Sequence, residues 1–307
     1  MTKPAYAAVD WGTSSFRLWL MSAHDSVISE RRSDEGMTTA SKVGFSGVLE
    51  AHLQALQAPD ELPVVVCGMA GARQGWVEAG YVDVPAPLPT ILSGALRVPG
   101  IQRDVWILPG LSQRIPGAPD VMRGEETQLL GALRQAQSGV RLVCMPGTHS
   151  KWVTVTDGLV SAFSTYMTGE LFDILSRHSV LAHSLANAEA FEAGDAAYLG
   201  AVENAFRGPE RLSNLLFRVR SGTLLEHLSP TAAAARLSGT LIGLEIAGAV
   251  ASSKNLPEIQ LVASGRLGRL YEAAFSSLSF TFNAVDADEA VRQGLAVAAR
   301  QILSLNS

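Results

Sequence analysis

Two short polar turns, each placed between apolar segments, carry residue types that could bind a phosphate chain. The first is Asp10-Trp11-Gly12-Thr13-Ser14-Ser15, and the second, about half a chain later, is Pro146-Gly147-Thr148-His149-Ser150-Lys151. Glycine lets a backbone turn sharply and approach a ligand, and a concave group of N–H donors binds anions. The first turn alone is equally well explained as a polar hairpin connection. The duplication favours two similar domains that hold one phosphate chain between them.

Three carboxylates stand where they could bind a metal ion or move a proton. Asp10 closes the first apolar strand and could hold a divalent cation, directly or through water, because hard cations prefer oxygen ligands. Glu125 and Glu126 open a predicted helix, where the helix dipole alone would favour acidic side chains. The functional interpretation is a general base at the mouth of a cleft.

Two further glycine-containing loops follow apolar strands. The run from Leu62 to Arg73 predicts a strand buried on both faces that leads into a Gly-rich loop. Arg73 there is a candidate for binding a substrate carboxylate, although a local surface partner explains it equally well. The segment Gly265-Arg266-Leu267-Gly268 follows another strand and opens a helix, which indicates either close approach to a nucleotide or an ordinary strand-to-helix turn.

The elements around these turns repeat. A strand, a polar turn, a strand, a second turn and a strand occur at 7–33 and again at 141–165. Residues 76–100 are rich in Pro and Gly and predict an irregular excursion. Other predicted strands are 62–67, 105–108, one within 256–263 and 279–282, and the predicted helices are 45–57, one from 125, 170–176, 181–192, 195–206, 212–221, 231–251 and 287–305.

Composition limits the classes of function. The 307 residues are 47% hydrophobic and 17% charged, with a net charge of −5 and no run of basic residues, so neither nucleic acid nor a membrane surface is an expected partner. No secretory signal and no bilayer-spanning run are evident, and residues 237–251 predict a buried helix. Cys67 and Cys144 lie in apolar runs and are expected to be reduced buried thiols of a cytoplasmic protein.

The order of elements resembles the sugar kinase, heat-shock chaperone and actin superfamily. The matching segments are Asp10-x-Gly12-Thr13-Ser14, Gly147-Thr148-x-Ser150 and Gly265-x-x-Gly268, and the helix at 125 lies where that superfamily has its catalytic carboxylate. Glu125-Glu126 before Leu130-Gly131 also resembles a segment of exopolyphosphatases. The resemblance implies an α/β fold of two ribonuclease-H-like (actin-like ATPase) domains, each a mixed five-stranded sheet flanked by helices, with a cleft between them. The implied ranges are 1–138, on the sugar-acid side and joined by 288–307, and 139–287, on the nucleotide side.

More closely, the chain resembles the 2-dehydro-3-deoxygalactonokinase family. Five segments carry this resemblance: 9–17, 67–76, 123–128, 146–153 and 165–170, of which Pro146-Gly147-Thr148-His149-Ser150-Lys151-Trp152 is distinctive. The family implies ATP-dependent phosphorylation of 2-dehydro-3-deoxy-D-galactonate at its terminal hydroxyl to give the 6-phosphate, in galactonate catabolism, with ATP and Mg²⁺ as cofactors. The second loop has Met145-Pro146 where many superfamily members carry an Asp, which weakens the case for a second acidic metal ligand.

Site roles follow from these motifs together with the resemblance. The general base is predicted to be Glu125, then Glu126, then Asp10, and Asp10 is also the predicted metal residue. Lys151 could neutralise the transferred phosphoryl group or pair with the substrate carboxylate. The predicted phosphate-binding residues are Gly12, Thr13, Ser14, Ser15, Gly147, Thr148, His149, Ser150 and Lys151, the nucleotide-binding residues Gly265, Arg266 and Gly268, and the substrate-binding residues Arg17, Arg73 and Arg123.

Two other functions stay open at this point. A phosphohydrolase on the same fold would release phosphate from polyphosphate or nucleotide without any sugar acid. A non-enzymatic nucleotide switch of the actin or chaperone type has less support, because the chain is short and shows no further partner-binding domain. A homodimer is expected from the apolar composition alone.

Overall fold

The computed structural model describes residues 3–134, 139–251 and 257–305, which divide into two compact units. Unit 1 comprises residues 1–139, 155–162 and 287–307, and unit 2 comprises 140–154 and 163–286. The domain boundaries predicted from the sequence stay a prediction, because residue 138 and the last two residues of the 288–307 segment lie outside the described residues.

Fifteen strands and ten helices are named here in chain order within the described residues. The strands are β1 (Tyr6–Trp11), β2 (Phe16–Met21), β3 (Val27–Ser33), β4 (Val64–Gly68), β5 (Tyr81–Val84), β6 (Ala86–Pro87), β7 (Leu96–Arg97), β8 (Val105–Ile107), β9 (Gly110–Ile115), β10 (Ala118–Met122), β11 (Val140–Met145), β12 (Ser150–Thr156), β13 (Leu159–Tyr166), β14 (Ile259–Val262) and β15 (Phe282–Val285). The helices are α1 (Met37–Val43), α2 (Phe45–Ala55), α3 (Glu125–Ala132), α4 (Thr168–His178), α5 (Ala182–Leu185), α6 (Ala196–Arg207), α7 (Leu212–Leu225), α8 (Pro230–Val250), α9 (Gly265–Ser277) and α10 (Ala287–Ile302).

The main sheet of unit 1 has the order β3-β2-β1-β4-β8-β7. β1 runs antiparallel to β2 and parallel to β4, and β4 runs parallel to β8. Every residue of β4 is buried, which confirms the prediction of a strand covered on both faces. The carboxyl ends of β1 and β4 therefore reach the same edge of this sheet, where the predicted site residue Asp10 lies beside Cys67.

The main sheet of unit 2 repeats this arrangement with the order β15-β14-β11-β12-β13-β6. β14 runs parallel to both β11 and β15. In both sheets the first three strands lie side by side and the fourth strand adds next to the first, as expected of the predicted fold class. The sheets have six strands rather than the predicted five, because two-residue edge strands, β7 and β6, extend them. β6 pairs with Leu159 and Val160, the part of β13 that belongs to unit 1.

A separate three-stranded sheet, ordered β10-β9-β5, lies in unit 1. The sequence prediction was wrong here, since it assigned irregular structure to 76–100 and had no strands in 110–122. β5 pairs in parallel with β9, so its hydrogen-bond partners are almost thirty residues away. Short strands that alternate with Pro and Gly give no local periodicity, and only this long-range pairing defines them.

Helix α8 is the central helix of unit 2. Ser229 caps its first turn by accepting the Ala232 N–H, and Pro230 occupies the first helical position. Gly239 and Gly243 allow close packing on α6, because a Cβ at either position would lie 2.3 Å from a carbonyl oxygen of that helix. The sequence predicted no segment able to cross a bilayer, yet α8 is long and apolar enough to do so. However, 67% of its most apolar 18-residue stretch is buried inside the protein. We therefore describe α8 as a core helix.

Three other elements differ from the predictions. Helix α1 was not predicted, α5 covers only four of the twelve residues predicted as helix at 181–192, and β15 begins at Phe282 rather than at residue 279. The parallel register that pairs Ile259 with Phe282 places this strand. In the strand predicted within 256–263, residue 256 lies outside the described residues.

Candidate functional site

The first polar turn, residues 12–15, is held by hydrogen bonds from the N-terminus of α1. Inside the turn the Gly12 N–H donates to the carbonyl oxygen of Ser15 at 2.9 Å. The N–H groups of Met37 and Thr38 donate to the carbonyl oxygens of Gly12 and Thr13 at 2.9 and 3.0 Å. The side chains of residues 13–15 are exposed and available to a ligand.

Gly36 permits the contact between the N-terminus of α1 and the first turn, and it was not among the site residues predicted from the sequence. A Cβ on Gly36 would lie 2.5 Å from backbone atoms of Ser14 and Ser15, so any side chain there would displace the turn. Gly36 stands three residues after the end of β3, directly before α1.

The second turn is supported in the same way. The Glu170 N–H, in the first turn of α4, donates to the Thr148 carbonyl oxygen at 3.1 Å. A Cβ on Gly169 would lie 2.6 Å from the carbonyl oxygen of Gly147. Gly169 stands three residues after the end of β13, as Gly36 does after β3. A glycine at this spacing after the third strand of each repeat is the sequence signal that could have identified both positions.

The side chains of the second turn divide into two groups. Thr148 and His149 are exposed at its tip, and the His149 ring pairs with the carboxylate of Glu170. The Ser150 side chain is fully buried behind the turn, where its hydroxyl accepts the Gly147 N–H at 3.4 Å. Lys151 is 5% exposed, and its ammonium donates to the His149 carbonyl oxygen at 3.3 Å. The assignment of Ser150 to phosphate binding stays a prediction.

Asp10 belongs to a cluster of charges at the edge of the unit 1 sheet. Arg17 pairs with both Asp10 and Asp288, and Arg32 also pairs with Asp288 at 2.9 Å. The second carboxylate oxygen of Asp10 accepts the thiol of Cys67 at 3.7 Å. Burial and then Asp10 raise the pKa of Cys67 well above its usual value, so the thiol keeps the proton that it donates. Arg17 is already neutralised by two carboxylates, which makes it a weak candidate for a substrate carboxylate.

Glu125 and Glu126 open α3 beside this cluster. Glu126 is 2% exposed and accepts hydrogen bonds from the Gly124 N–H at 2.6 Å and the Thr127 hydroxyl at 3.0 Å. Burial, followed by the charge of Glu125, raises the pKa of Glu126 to about 7. Glu125 is half-buried and accepts the Arg123 N–H at 3.1 Å. The negative charges of Asp10 and Glu126 both raise the pKa of Cys67.

The position of α3 depends on its crossing with α10. A Cβ on Gly131 would lie 1.9 Å from the Ala290 carbonyl oxygen, and one on Gly294 would lie 1.9 Å from the Thr127 carbonyl oxygen. The backbones of the two helices are therefore in direct contact.

The other two predicted substrate arginines lie in different environments of unit 1. Arg73 is 81% exposed and pairs with Glu78 at 3.4 Å. Arg123 lies over the ring of Tyr81, 4.5 Å from its centroid, and donates to the Ala79 carbonyl oxygen at 2.6 Å. Its Nε and Nη1 atoms are buried without a hydrogen-bond partner in the described part of the chain.

Of the predicted nucleotide residues, Arg266 lines a cavity in unit 2. Arg266 lies over the ring of Phe191, 4.4 Å from its centroid, and donates to the Phe191 carbonyl oxygen at 3.1 Å. Gly265 has φ +63°, which favours glycine at the start of α9. The cavity has a volume of about 130 Å³ and is lined by residues of both loops and of α8, among them Gly147, Gly169, Phe191, Leu241, Arg266 and Tyr271. Phe191 was not predicted, because a lone aromatic between helices has no sequence signal.

A preformed metal cage is absent from residues 3–134, 139–251 and 257–305, which contain no group of three or more His, Cys, Asp or Glu side chains able to share an ion. Asp10 is the predicted metal residue, and it lies two residues before Gly12 of the first turn. Mg²⁺ in phosphoryl-transfer enzymes is held by one or two carboxylates together with water and substrate phosphates. One carboxylate beside exposed hydroxyls fits that requirement.

Comparison with known proteins gives a consistent result. Residues 10–298 match the model of the 2-keto-3-deoxy-galactonokinase family. The chain is 57% identical over 300 residues, 98% of each protein, to a probable 2-dehydro-3-deoxygalactonokinase of Rhizobium meliloti. It is 35% identical over 294 residues, 94% of this chain and 96% of the relative, to the 2-dehydro-3-deoxygalactonokinase of Escherichia coli.

Solved structures agree on the fold. A crystal structure of a Sinorhizobium meliloti protein, 57% identical, matches with a TM-score of 0.94 over 97% of this chain and 99% of that chain. The activator of 2-hydroxyisocaproyl-CoA dehydratase from Clostridium difficile, solved with bound ADPNP, is 13% identical and matches with a TM-score of 0.52 over 97% and 96% of the chains.

Proposed function

Since the chain belongs to the 2-keto-3-deoxy-galactonokinase family, we propose that it transfers the γ-phosphoryl group of ATP to the 6-hydroxyl of 2-dehydro-3-deoxy-D-galactonate. The enzyme is a kinase of sugar-acid metabolism. The observation that best supports the proposed chemistry is the repeated polar turn, supported in each unit by the N-terminus of a helix through a glycine contact.

Glu125 is the proposed general base. It is half-buried at the start of α3, where a substrate hydroxyl could reach its carboxylate, whereas Glu126 is enclosed and occupied by the Gly124 N–H and the Thr127 hydroxyl. Glu125 would orient the 6-hydroxyl and accept its proton as the oxygen attacks phosphorus. Glu126 would hold the start of α3, and Asp10 remains a third candidate for the base.

The two turns are the proposed phosphate sites. Backbone N–H groups and the exposed hydroxyls of residues 13–15 and 148 would bind the β- and γ-phosphates, with Lys151 and His149 adding positive charge or donors. Positioning and charge neutralisation supply most of the rate acceleration in phosphoryl transfer, so few reactive groups are needed. Arg266, Gly265 and Gly268 would border the adenosine, with the Phe191 ring behind Arg266.

Asp10 is the residue proposed to hold Mg²⁺, through a water molecule. One of its oxygens pairs with Arg17 and the other accepts the Cys67 thiol, so both are held in a fixed orientation. The ion, when bound with ATP, would neutralise charge on the phosphates. Arg17 would keep Asp10 in place rather than contact the sugar acid.

Arg73 is the proposed partner of the substrate carboxylate, and Arg123 is the alternative. An exposed ion pair such as Arg73–Glu78 contributes little to folding stability, so Arg73 can leave Glu78 and bind a ligand carboxylate instead. Arg123 has two buried N–H groups without a partner in the described residues, but it also holds the Ala79 carbonyl. The variant Arg73→Ala should raise KM for the acid much more than KM for ATP. Equal effects on both would remove this assignment.

The deciding experiment measures ADP release with Mg-ATP and four conditions: 2-dehydro-3-deoxygalactonate, its gluconate epimer, intact galactonate and no acid. Turnover with the first acid alone would support the proposed reaction and substrate. Equal turnover of the two epimers would keep the kinase but remove the stereochemical assignment. ADP release at the same rate with and without each acid would favour a phosphohydrolase.

The proposed compartment is the cytoplasm, and the proposed assembly is a homodimer. Three exposed apolar side chains, Met167 directly before α4 and Leu171 and Ile174 within it, support a partner surface on unit 2. Light scattering on the purified protein would report its mass, and a monomer at assay concentration would contradict the dimer.

A further inference from the structure

Glu245 is a carboxylate buried in the middle of the apolar helix α8. It is 1% exposed, and burial raises its pKa. One oxygen accepts the indole N–H of Trp152 at 2.8 Å, and the other accepts the hydroxyl of Tyr271 at 2.7 Å. A buried carboxylate is tolerated only when hydrogen bonds replace its water, and here the hydrogen bonds come from separate elements.

The hydrogen bonds of Glu245 lead directly to the second polar turn. The Tyr271 hydroxyl lies 3.3 Å from the Ser150 hydroxyl, which accepts the Gly147 N–H at 3.4 Å. Side-chain hydrogen bonds from Ser150 and Thr168 also reach Glu245. One carboxylate therefore connects the turn and β12 with the start of α4 and with α9.

The same network reaches the cavity that borders Arg266. Thr168 and Tyr271 both line this cavity, as does Gly147 at the start of the turn. The wall of the cavity and the phosphate turn are thus bonded to a single group within unit 2. Replacing that group would release the turn from the wall without removing any residue that faces the ligand.

We propose that Glu245 is a positioning residue of the nucleotide site, which holds the turn at residues 146–149 at a fixed distance from the cavity. A nucleotide bound there could then place its adenosine in the cavity and its phosphates at the turn without reordering either. This inference depends on the proposed ATP site in unit 2, and it adds a residue that contacts no ligand.

The chemistry explains why this position is a carboxylate. Its two oxygens offer about four acceptor sites and no donor, which matches a surrounding set of indole and hydroxyl donors. Glutamine would present an N–H₂ group to one of these donors. An apolar residue would leave buried donors without a partner, at about 1–3 kcal/mol each.

The test compares adenosine, ADP and a non-hydrolysable ATP analogue by titration calorimetry with the full-length protein. In the wild type, affinity should increase from adenosine to the phosphorylated ligands. In Glu245→Gln this increase should fall about tenfold, the equivalent of one hydrogen bond, while adenosine affinity changes less than threefold. KM for ATP should rise by a similar factor, and KM for the sugar acid should not change.

Two further variants keep the inference testable if Glu245→Gln does not fold. Tyr271→Phe removes the hydroxyl between Ser150 and Glu245 and should show the same loss of phosphate affinity. Tyr198→Phe is the matched control, because the Tyr198 hydroxyl is also buried and donates to a carbonyl of α9, that of Leu270, at 2.7 Å, without leading to the turn. It should keep wild-type affinities.

The inference would be overturned if a folded Glu245→Gln or Tyr271→Phe variant showed the same increase in affinity from adenosine to the phosphorylated ligands as the wild type. This holds even if those variants melt at a lower temperature. The same would follow if Tyr198→Phe lost phosphate affinity to the same extent. A wild-type protein that binds none of the three adenosine ligands would instead refute the proposed function on which the inference depends.

Discussion

Glu125 and Glu126 are adjacent in the sequence, yet their surroundings in α3 differ. Glu125 is half-buried, whereas Glu126 is enclosed and accepts hydrogen bonds from the Gly124 N–H and the Thr127 hydroxyl. A general base needs access to the substrate, whereas a carboxylate that accepts the helix's own N–H groups stabilises the helix. At the residue scale, the two roles can be separated by isosteric substitution.

Glu125→Gln should lower kcat by about two orders of magnitude or more, because general-base catalysis contributes roughly that factor. The affinity for ATP should not change, since Glu125 is not part of either phosphate turn. Steady-state kinetics and nucleotide titration measure the two effects. Near-normal turnover in Glu125→Gln, with a large loss in Glu126→Gln, would exchange the two assignments.

Glu126 should make folding stability depend on pH. Its folded pKa of about 7 lies above the ordinary value of 4.5, so the native state holds a proton that the unfolded state has already lost between these values. The stability of the wild type relative to Glu126→Gln should therefore fall as pH rises from about 4.5 to 7, by up to about 3 kcal/mol. Urea unfolding of both proteins across this range measures the difference.

Glu125→Gln provides an internal control for that pH dependence. The charge of Glu125 is the second cause of the raised pKa of Glu126, so removing it should make the pH dependence shallower. If wild type and Glu126→Gln lose stability in parallel with rising pH, Glu126 does not titrate in this range.

At the scale of elements, both units contain the same arrangement of a polar turn contacted by the N-terminus of a helix. A glycine stands three residues after the third strand of each repeat, Gly36 after β3 and Gly169 after β13. Because it has no side chain, the N-terminus of the following helix can contact the polar turn. The helix N–H groups then donate to the turn's own carbonyl oxygens, and the side chains of residues 13–15, 148 and 149 are exposed. Helix α1, which was not predicted from the sequence, and helix α4 thus contribute to the conformation of the proposed phosphate sites.

Gly36→Ala should raise KM for ATP by about tenfold or more, because its Cβ would lie 2.5 Å from the backbone of Ser14 and must displace the turn. Gly169→Ala should act in the same way in unit 2, with an overpacking cost of about 1–3 kcal/mol in either case. Kinetics with varied ATP measure the change.

Gly47→Ala is the matched control for these two variants. Gly47 lies in α2, and a Cβ there would meet nothing within 4 Å, so this variant should keep its KM and gain up to about 1 kcal/mol of stability. Wild-type KM values in both Gly36→Ala and Gly169→Ala would show that the helix contacts do not shape the ATP site.

At the scale of the whole molecule, the chain does not divide at one point. Unit 1 takes residues from three separate parts of the sequence, and its C-terminal helix α10 packs on α3 through Gly131 and Gly294. The start of α3, which carries Glu125, therefore depends on a helix that begins at Ala287, in the C-terminal segment of the chain. We expect neither unit to form fully without the segments that the other half of the sequence provides.

Binding of Mg-ATP should stabilise the whole fold. At a free concentration of one hundred times Kd, a ligand of the native state adds about 2.7 kcal/mol, which should raise Tm by about 5 °C in a protein of this size. Thermal melts with Mg-ATP, with adenosine and without ligand measure the shift. A saturating Mg-ATP concentration that leaves Tm unchanged would contradict nucleotide binding by the native protein.

The sequence by itself determined the repeated strand–turn–strand units, the buried β4, most helices and the family, because these depend on local periodicity, glycine placement and distinctive motifs. Only the tertiary structure decided which carboxylate of α3 is enclosed, that Arg17 is neutralised by Asp10 and Asp288, and that Glu245 is bonded to the second turn. It also decided the three-stranded sheet and the closeness of Gly36 and Gly169 to the turns. These features depend on contacts between residues far apart in the chain, and burial and pairing of charges cannot be read from the neighbours of a residue in sequence.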